Sequence, residues 1–304
     1  MHNWIKKGQI FSVQNSNQYL VSHASNPLAC HIRDDIFRVF YSGRNIDNKS
    51  SVGYVDIDIL THEIIKSKTE PVLTYGKEDT FSSHGISIGN AYNVDEKTFI
   101  LFMAWQVPSV GHWRGDIGRL ELIDNEKLVF ADNKPFMGID EVDKISLSYP
   151  YVVFHEGIYK MWYGSTISWD AGNKEMIHVI KYATSLEGNT WEKHGIAIPY
   201  KLGVAQAFSR PTVIIDETGY RMWYSYRKGN GDKYKIGYAT SNDGYHWVRV
   251  DEYSGIEVSD DGWDSEMICY PFVFKHKDKL YMLYNGNDYG KEGFGLCHYN
   301  DILD

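Results

Sequence analysis

The stretch that decides the fold runs through Tyr149-Pro150, Tyr159-Lys160-Met161-Trp162-Tyr163, Ile180-Lys181-Tyr182-Ala183-Thr184 and Trp191-Glu192-Lys193-His194-Gly195-Ile196-Ala197. A proline step opens an apolar run, a turn follows, and an aromatic-rich segment then alternates in character. β-Branched and aromatic residues alternating between turn signals mark strands. The same order recurs along the chain, aligned on Asn26-Pro27, Ile88-Gly89, Arg210-Pro211 and Tyr270-Pro271. Successive steps between the five copies are 62, 61, 61 and 60 residues.

The second strands of the other copies read Phe37–Tyr41, Phe99–Met103, Tyr220–Tyr224 and Leu280–Tyr284, and the third strands Val52–Val55, Asp116–Leu120, Ile236–Thr240 and Phe294–Cys297. No ten-residue stretch keeps a helical period. Repeated antiparallel sheets of about four strands at this period predict an all-β, five-bladed β-propeller, whose radial packing shields the sheet edges. Residues 1–304 form one domain on this reading, which overrides the two-domain prior of the length. The fifth copy ends before an outer strand, and Trp4-Ile5-Lys6-Lys7-Gly8-Gln9-Ile10 resembles the outer-strand segment Trp191–Ala197. The N-terminal strand is therefore expected to close the last blade.

Composition narrows the function classes. At 43% hydrophobic and 23% charged the chain is an ordinary globular protein, and its 15% aromatic content is high. A net charge of -9 argues against nucleic acid, which demands a basic footprint, and against an anionic membrane surface. No apolar leader and no run of eighteen apolar residues stands out, so neither a signal peptide nor a membrane span is expected. Cys30, Cys269 and Cys297 are odd in number and lack metal-ligand spacing, which suits reduced, buried thiols in the cytoplasm. The twelve histidines are scattered singly, so no metal site and no cofactor is expected.

Ser185-Leu186-Glu187-Gly188-Asn189-Thr190-Trp191 and Ser241-Asn242-Asp243-Gly244-Tyr245-His246-Trp247 resemble the Asp-box turn of sialidases and other propellers. In that turn an acidic side chain accepts backbone hydrogen bonds, glycine takes a positive φ and tryptophan packs between blades, a structural role. Together with the period, the tyrosine-rich strands and Trp263-Asp264-Ser265-Glu266-Met267-Ile268-Cys269-Tyr270-Pro271, these segments make the whole chain resemble the five-bladed propeller glycosidases: glycoside hydrolase families 43, 32 and 68, and the family 130 phosphorylases and hydrolases.

The resemblance implies a central funnel lined by the segments before each proline position. Five residues before it stand Ser22, His84, Ile145, Gln206 and Glu266, and one before it Asn26, Ile88, Tyr149, Arg210 and Tyr270. Polar groups converging where a core is expected are the signature of a binding funnel. The chain departs from families 43 and 32 where they carry catalytic carboxylates, since Asn26, Ser148-Tyr149 and Ser209-Arg210 stand in those places. Glu266 is then the candidate general acid, its pKa raised by a desolvating aromatic funnel, with Asp264 as partner carboxylate and His84 as the next candidate base. Arg210, with His23 and Arg44, suits an acidic or phosphorylated sugar. Asn26, Ser148, Tyr149, Gln206 and Tyr270 join them as funnel residues, and Trp105, Trp113, Arg114 and Trp169 as subsite walls on which sugar faces stack. The expected function is cleavage of a glycosidic bond, with inversion, on a small carbohydrate. A sugar-binding or scaffold propeller without catalysis, and a family 130-like phosphorylase, are the alternatives.

Overall fold

The computed structural model describes residues 3–15 and 17–300, and its chain is almost entirely strand and turn. Unit one holds β2 (Ser22–Arg33), β3 (Ile36–Arg44), β4 (Ser50–Asp58) and β5 (Ile64–Ser67), and unit two β6 (Gly85–Val94), β7 (Lys97–Gln106), β8 (Arg114–Ile123) and β9 (Lys127–Phe130). Unit three holds β10 (Leu147–His155), β11 (Ile158–Ser168), β12 (Ile177–Ser185) and β13 (Glu192–Ile196), and unit four β14 (Ala207–Asp216), β15 (Gly219–Arg227), β16 (Lys235–Ser241) and β17 (Val248–Arg249). Unit five holds β18 (Cys269–His276), β19 (Lys279–Asn285) and β20 (Phe294–Asn300), and its fourth strand is β1 (Asn3–Phe11), paired antiparallel to β20. Units one to four are antiparallel meanders in chain order, unit five is one completed by β1, and single parallel bridges, Ser50 to Gly85 and His178 to Ala207, link units one to two and three to four.

The first strands of successive units adjoin, β2 beside β6, β6 beside β10, β10 beside β14 and β14 beside β18, and β18 in turn lies against β2. Aromatics of the middle strands fill the space between units. Trp162, Trp223, Tyr54, Tyr163, Tyr224, Tyr284, Phe40 and Phe102 are among the largest fully buried side chains. A middle-strand ring lies over a glycine of the third strand, so that a Cβ on Gly118 would sit 2.1 Å from Phe102 Cζ.

A buried carboxylate anchors the outer part of unit three and, two repeats later, of unit five. Asp143 accepts from Tyr163 Oη at 3.0 Å and Ser165 Oγ at 2.6 Å, and Lys181 Nζ lies 2.8 Å and Lys193 Nζ 2.6 Å from it. Asp264 accepts from Tyr284 Oη at 2.9 Å and Lys6 Nζ at 2.7 Å. Lys6 occupies in β1 the place of Lys193 in β13, so the chain start supplies both the strand and its ion pair. Trp4 adds a hydrogen bond from Nε1 to the Ser254 carbonyl at 3.1 Å.

At the centre Arg210 of β14 is 3% exposed and reaches across the ring. Its Nη1 donates to the Ile88 carbonyl at 2.9 Å, and its Nη2 donates to the Pro27 carbonyl at 2.6 Å. One guanidinium thus joins units one, two and four. Burial pushes its pKa down to about 9, against the raising influence of Tyr149 and Tyr270, which leaves it charged at neutral pH.

Arg210→Met is expected to lower unfolding free energy by about 3–5 kcal/mol, since two charge-assisted bonds of about 1.5–3 kcal/mol each are lost and buried carbonyls are orphaned; urea denaturation checks this, and a loss under 1 kcal/mol would refute the hub role. Deleting residues 3–11 should expose the β20 edge and give aggregates in place of the discrete wild-type peak on size-exclusion chromatography.

Candidate functional site

Each first strand carries a bulge at its proline position. Ladder register breaks between Ser25 and Leu28, Ile88 and Ala91, Ser148 and Tyr151, Ser209 and Thr212, and Cys269 and Phe272. In four of the five the residue before the proline has a positive φ, 56° at Asn26, 38° at Tyr149, 47° at Arg210 and 54° at Tyr270. Side chains with a Cβ adopt that region at a cost of about 1–3 kcal/mol each, and bulges re-aim side chains, so strain is concentrated where the first strands meet. Part of the offset comes from neighbouring middle strands. The Ile88 N–H donates to Ser42 Oγ at 3.0 Å, the Tyr270 N–H to Ser225 Oγ at 2.7 Å and the Asn26 N–H to Asn285 Oδ1 at 2.9 Å.

The bulges form one end of a cavity of about 340 Å³. Its walls include Arg44, Arg227, Tyr149, Tyr234, Tyr270, Tyr289, Trp105 and Trp113, a ring of serines, and His178, and among the described residues no Asp or Glu lines it. Arg227 is held by Glu175, with Nε 2.7 Å from Oε2, and donates from Nη1 to Tyr289 Oη at 3.0 Å. Among the described residues no carboxylate pairs with Arg44. Burial raises the pKa of Tyr149 and Tyr270, which keeps both phenols protonated as hydrogen-bond donors. Two atoms of lining residues, Asn26 Oδ1 and Ser209 Oγ, are buried without a protein partner. An orphaned buried polar atom is costly, and here two belong to residues of one cavity wall. At the rim Trp113 meets Trp169 edge to face at 4.8 Å, and His112 stacks on Trp169 at 4.8 Å.

The structure divides the residues expected at the funnel. Asn26, Arg44, Trp105, Ser148, Tyr149 and Tyr270 line the cavity. Gln206 is fully buried behind it in a reciprocal amide pair with Asn173, and its Nε2 also reaches the Met176 carbonyl, bracing the loop that presents Glu175 to Arg227. His23 is buried beside the wall, with Nδ1 2.8 Å from Ser22 Oγ, and burial followed by the charge of Arg44 lowers its pKa to about 3. His84 packs on Trp105 at 4.8 Å outside the lining. Arg114 turns to Asp116, 3.1 Å away.

Three expectations are corrected. Arg210 does not line the cavity, because its guanidinium is committed to backbone carbonyls. Asp264 belongs to the structural set that Asp143 repeats, so its carboxylate is occupied by Lys6 and Tyr284. Glu266 has a 70% exposed side chain, 4.0 Å from Lys233, and is not enclosed by the aromatic funnel expected around it. The Asp-box reading, by contrast, matches the geometry: Asp243 Oδ1 accepts from the Tyr245 and His246 amides, both at 2.8 Å, and Gly244 has a φ of 80°. Cys269 is fully buried, which drives its thiol pKa up and leaves it inert.

Sequence reasoning overlooked Arg227, Tyr289 and His178, which lie on middle-strand ends, a turn and a third strand. One signal was available in the same alignment: two residues before each proline position stand Ser25, Ser87, Ser148, Ser209 and Cys269, small groups throughout, and the four serines line the cavity.

Asp264→Asn should cost about 3–5 kcal/mol, because Lys6 and Tyr284 lose a buried anion, whereas Glu266→Gln should stay within about 0.5 kcal/mol of the wild type. Paired denaturation curves check the contrast, and equal effects would contradict these placements.

No protein-family model matches the chain. The "Uncharacterized protein Rv1502" of Mycobacterium tuberculosis strain H37Rv and the "Uncharacterized protein MT1551" of strain CDC 1551 are each 38% identical to it over 296 residues, covering 97% of this chain and 98% of theirs. Similar solved structures include one described as a glycoside hydrolase (TM-score 0.76, 12% identity, covering 97% of this chain and 92% of that one). Another is a putative glycoside hydrolase from Bacteroides ovatus (TM-score 0.74, 17% identity, 99% and 97%). A third comes from work on GH130 glycoside hydrolases that target β-1,2 mannosidic linkages (TM-score 0.72, 14% identity, 99% and 94%). At these identities the likeness to solved structures is one of fold. The chain belongs to the family of the two mycobacterial proteins, and its fold is that of the glycosidase-like propellers.

Proposed function

We propose that the protein is a single-domain, five-bladed propeller that recognises an anionic carbohydrate, an acidic or phosphorylated sugar, in its central cavity. The observation that carries this reading is the charge of the wall: Arg44 and Arg227 face the cavity, no carboxylate among the described residues does, and the chain as a whole is at -9. Guanidinium groups bind carboxylate and phosphate through a planar fork of donors. The tyrosine hydroxyls, Asn26 and Ser209 supply the hydrogen bonds that sugar hydroxyls need, and Trp105, Trp113 and Trp169 supply flat apolar faces. The glycosidase-like fold supports a carbohydrate over other anions. The three unpaired cysteines suit a reducing compartment, so a cytoplasmic setting is part of the proposal.

Carboxylate-driven cleavage or phosphorolysis of a glycosidic bond draws less support. It needs acid groups on the cavity, about 5–9.5 Å apart in a hydrolase, and among the described residues the lining offers none. The reading is therefore closer to the sugar-binding alternative than to an inverting hydrolase built on Glu266.

Isothermal titration with glucuronate and glucose 6-phosphate, against glucose, tests it. An anionic sugar should bind at least tenfold more tightly than glucose, and Arg44→Ala should weaken it by about 10–100-fold, the worth of one charged hydrogen bond. Equal affinity for glucose, or an unaffected Arg44→Ala, would overturn the anionic assignment.

A further inference from the structure

Within the serine ring Ser148 is singled out by its partner. Its Oγ lies 2.6 Å from His178 Nε2, and His178 Nδ1 lies 2.8 Å from Thr166 Oγ1. Both members of the pair line the cavity, and both are at least 98% buried. The other serines are engaged differently: Ser25 donates to the Tyr289 carbonyl, and Ser209 Oγ has no protein partner. The chain also keeps a glycine beside the pair. A Cβ on Gly164 would fall 2.1 Å from Ser148 Oγ and 2.4 Å from His178 Nε2, so any other residue would push the two apart.

The same glycine belongs to a second departure from the repeat. Ser42, Ser225 and Asn285 accept the bulge amide of the following unit; at the corresponding places units two and three carry Ala104 and Gly164. A methyl group cannot accept a hydrogen bond, and glycine offers no side chain, so the bulge amides of Tyr149 and Arg210 lack the side-chain acceptor that those of Asn26, Ile88 and Tyr270 have. The Tyr149 amide directly follows Ser148 in the chain. A backbone N–H one residue after a nucleophile is a recurrent donor to the oxyanion of acyl transfer.

We propose that Ser148 and His178 form an acyl-transfer centre in the cavity, with Ser148 Oγ as nucleophile, His178 as base and the Tyr149 N–H as oxyanion donor, acting on a carboxylic ester such as an O-acyl group of a sugar. With the proton on Nδ1 donated to Thr166, Nε2 accepts from Ser148. Oγ attacks the ester carbonyl carbon, a C–O bond forms, and the Ser148 proton passes to Nε2. The tetrahedral adduct then expels the alcohol oxygen, which takes that proton. Water hydrolyses the acyl-serine by the same route, so that ester and water give alcohol and acid and Ser148 is restored. Burial, followed by the charge of Arg227, pushes the His178 pKa down to about 4, which keeps the imidazole neutral and able to accept at neutral pH.

This goes beyond sugar recognition, and its test contains no sugar. The wild-type protein is treated with diisopropyl fluorophosphate, which phosphorylates activated serines with loss of fluoride, and the modified residue is mapped by peptide mass spectrometry. Labelling confined to Ser148, with Ser25, Ser87 and Ser209 unmodified as internal controls, is the expected result. His178→Gln should slow it at least 100-fold, the lower end of what a general base contributes, and Thr166→Val should slow it by less. Hydrolysis of p-nitrophenyl acetate should fall in parallel. No label on Ser148, label spread over the ring, or a rate unchanged in folded His178→Gln would overturn the proposal. The wild-type mapping decides the matter even if the variants do not fold. Labelling without sugar affinity, or sugar affinity without labelling, would separate this inference from the proposed function.

Discussion

The guanidinium of Arg210 is the interaction on which the centre of this molecule depends. Where the first strands of a ring of units converge, their bulges turn backbone carbonyls toward the axis, and water is excluded there. Unpaired carbonyls in such a place are costly. One planar cation with several divergent donors satisfies carbonyls of units one and two from unit four, which no neutral side chain of similar volume does. The consequence for function is direct. With Arg210 committed to these carbonyls, residues of the neighbouring bulges, Asn26, Tyr149 and Tyr270 among them, line the cavity in its place.

Strain and vacancy coincide in that wall. Left-handed Asn26, Tyr149 and Tyr270 direct their side chains into one volume, and the stabilisation that permits this comes from elsewhere, from neighbouring serine and asparagine acceptors and from the interleaved aromatic core. Asn26 Oδ1 and Ser209 Oγ are buried there without a hydrogen-bond partner, and Arg44 has no acid partner among the described residues. The wall's chemistry of cations, phenols and indoles without carboxylates differs from that of a two-carboxylate glycosidase, although the scaffold is shared. Fold and site chemistry are separable in this way because strands supply position while a few bulge residues supply function.

Repetition explains both the success and the failure of reading the site from sequence. Asp264 and Glu266 stood out because carboxylates near a proline position resemble an acid pair. Asp264, however, lies two repeats after Asp143, and Lys6 and Lys193 occupy like positions in their outer strands, so a structural ion pair was written twice in the chain. Glu266 lies on the turn that precedes β18, and its backbone amide, held by Asn287 Oδ1 at 2.8 Å, sets the side chain outward. Nothing in local spacing distinguishes an inward from an outward carboxylate on a turn. Ser148 and Tyr149 were legible as funnel residues because the period fixes their place on the first strand; His178 was not, since its approach to Ser148 depends on how far β12 lies from β10 across the middle strand, and on the absence of a side chain at Gly164.

The sequence by itself determined the strands, their grouping by fours, the use of β1 to complete the last unit and the ring of positions facing the axis. Each of these follows from periodicity, and periodicity is a property of the chain alone. Only the tertiary structure decided which polar groups are consumed by the scaffold and which are left without a partner. Arg210, Asp264 and Gln206 are taken up by carbonyls, lysine and amide partners distant in the chain, while Arg44, Asn26 and Ser209 are left over. Whether a hydrogen-bonding group is satisfied is a question of three-dimensional proximity, and two groups 183 residues apart, such as Arg210 and Pro27, carry no local sign that they will meet.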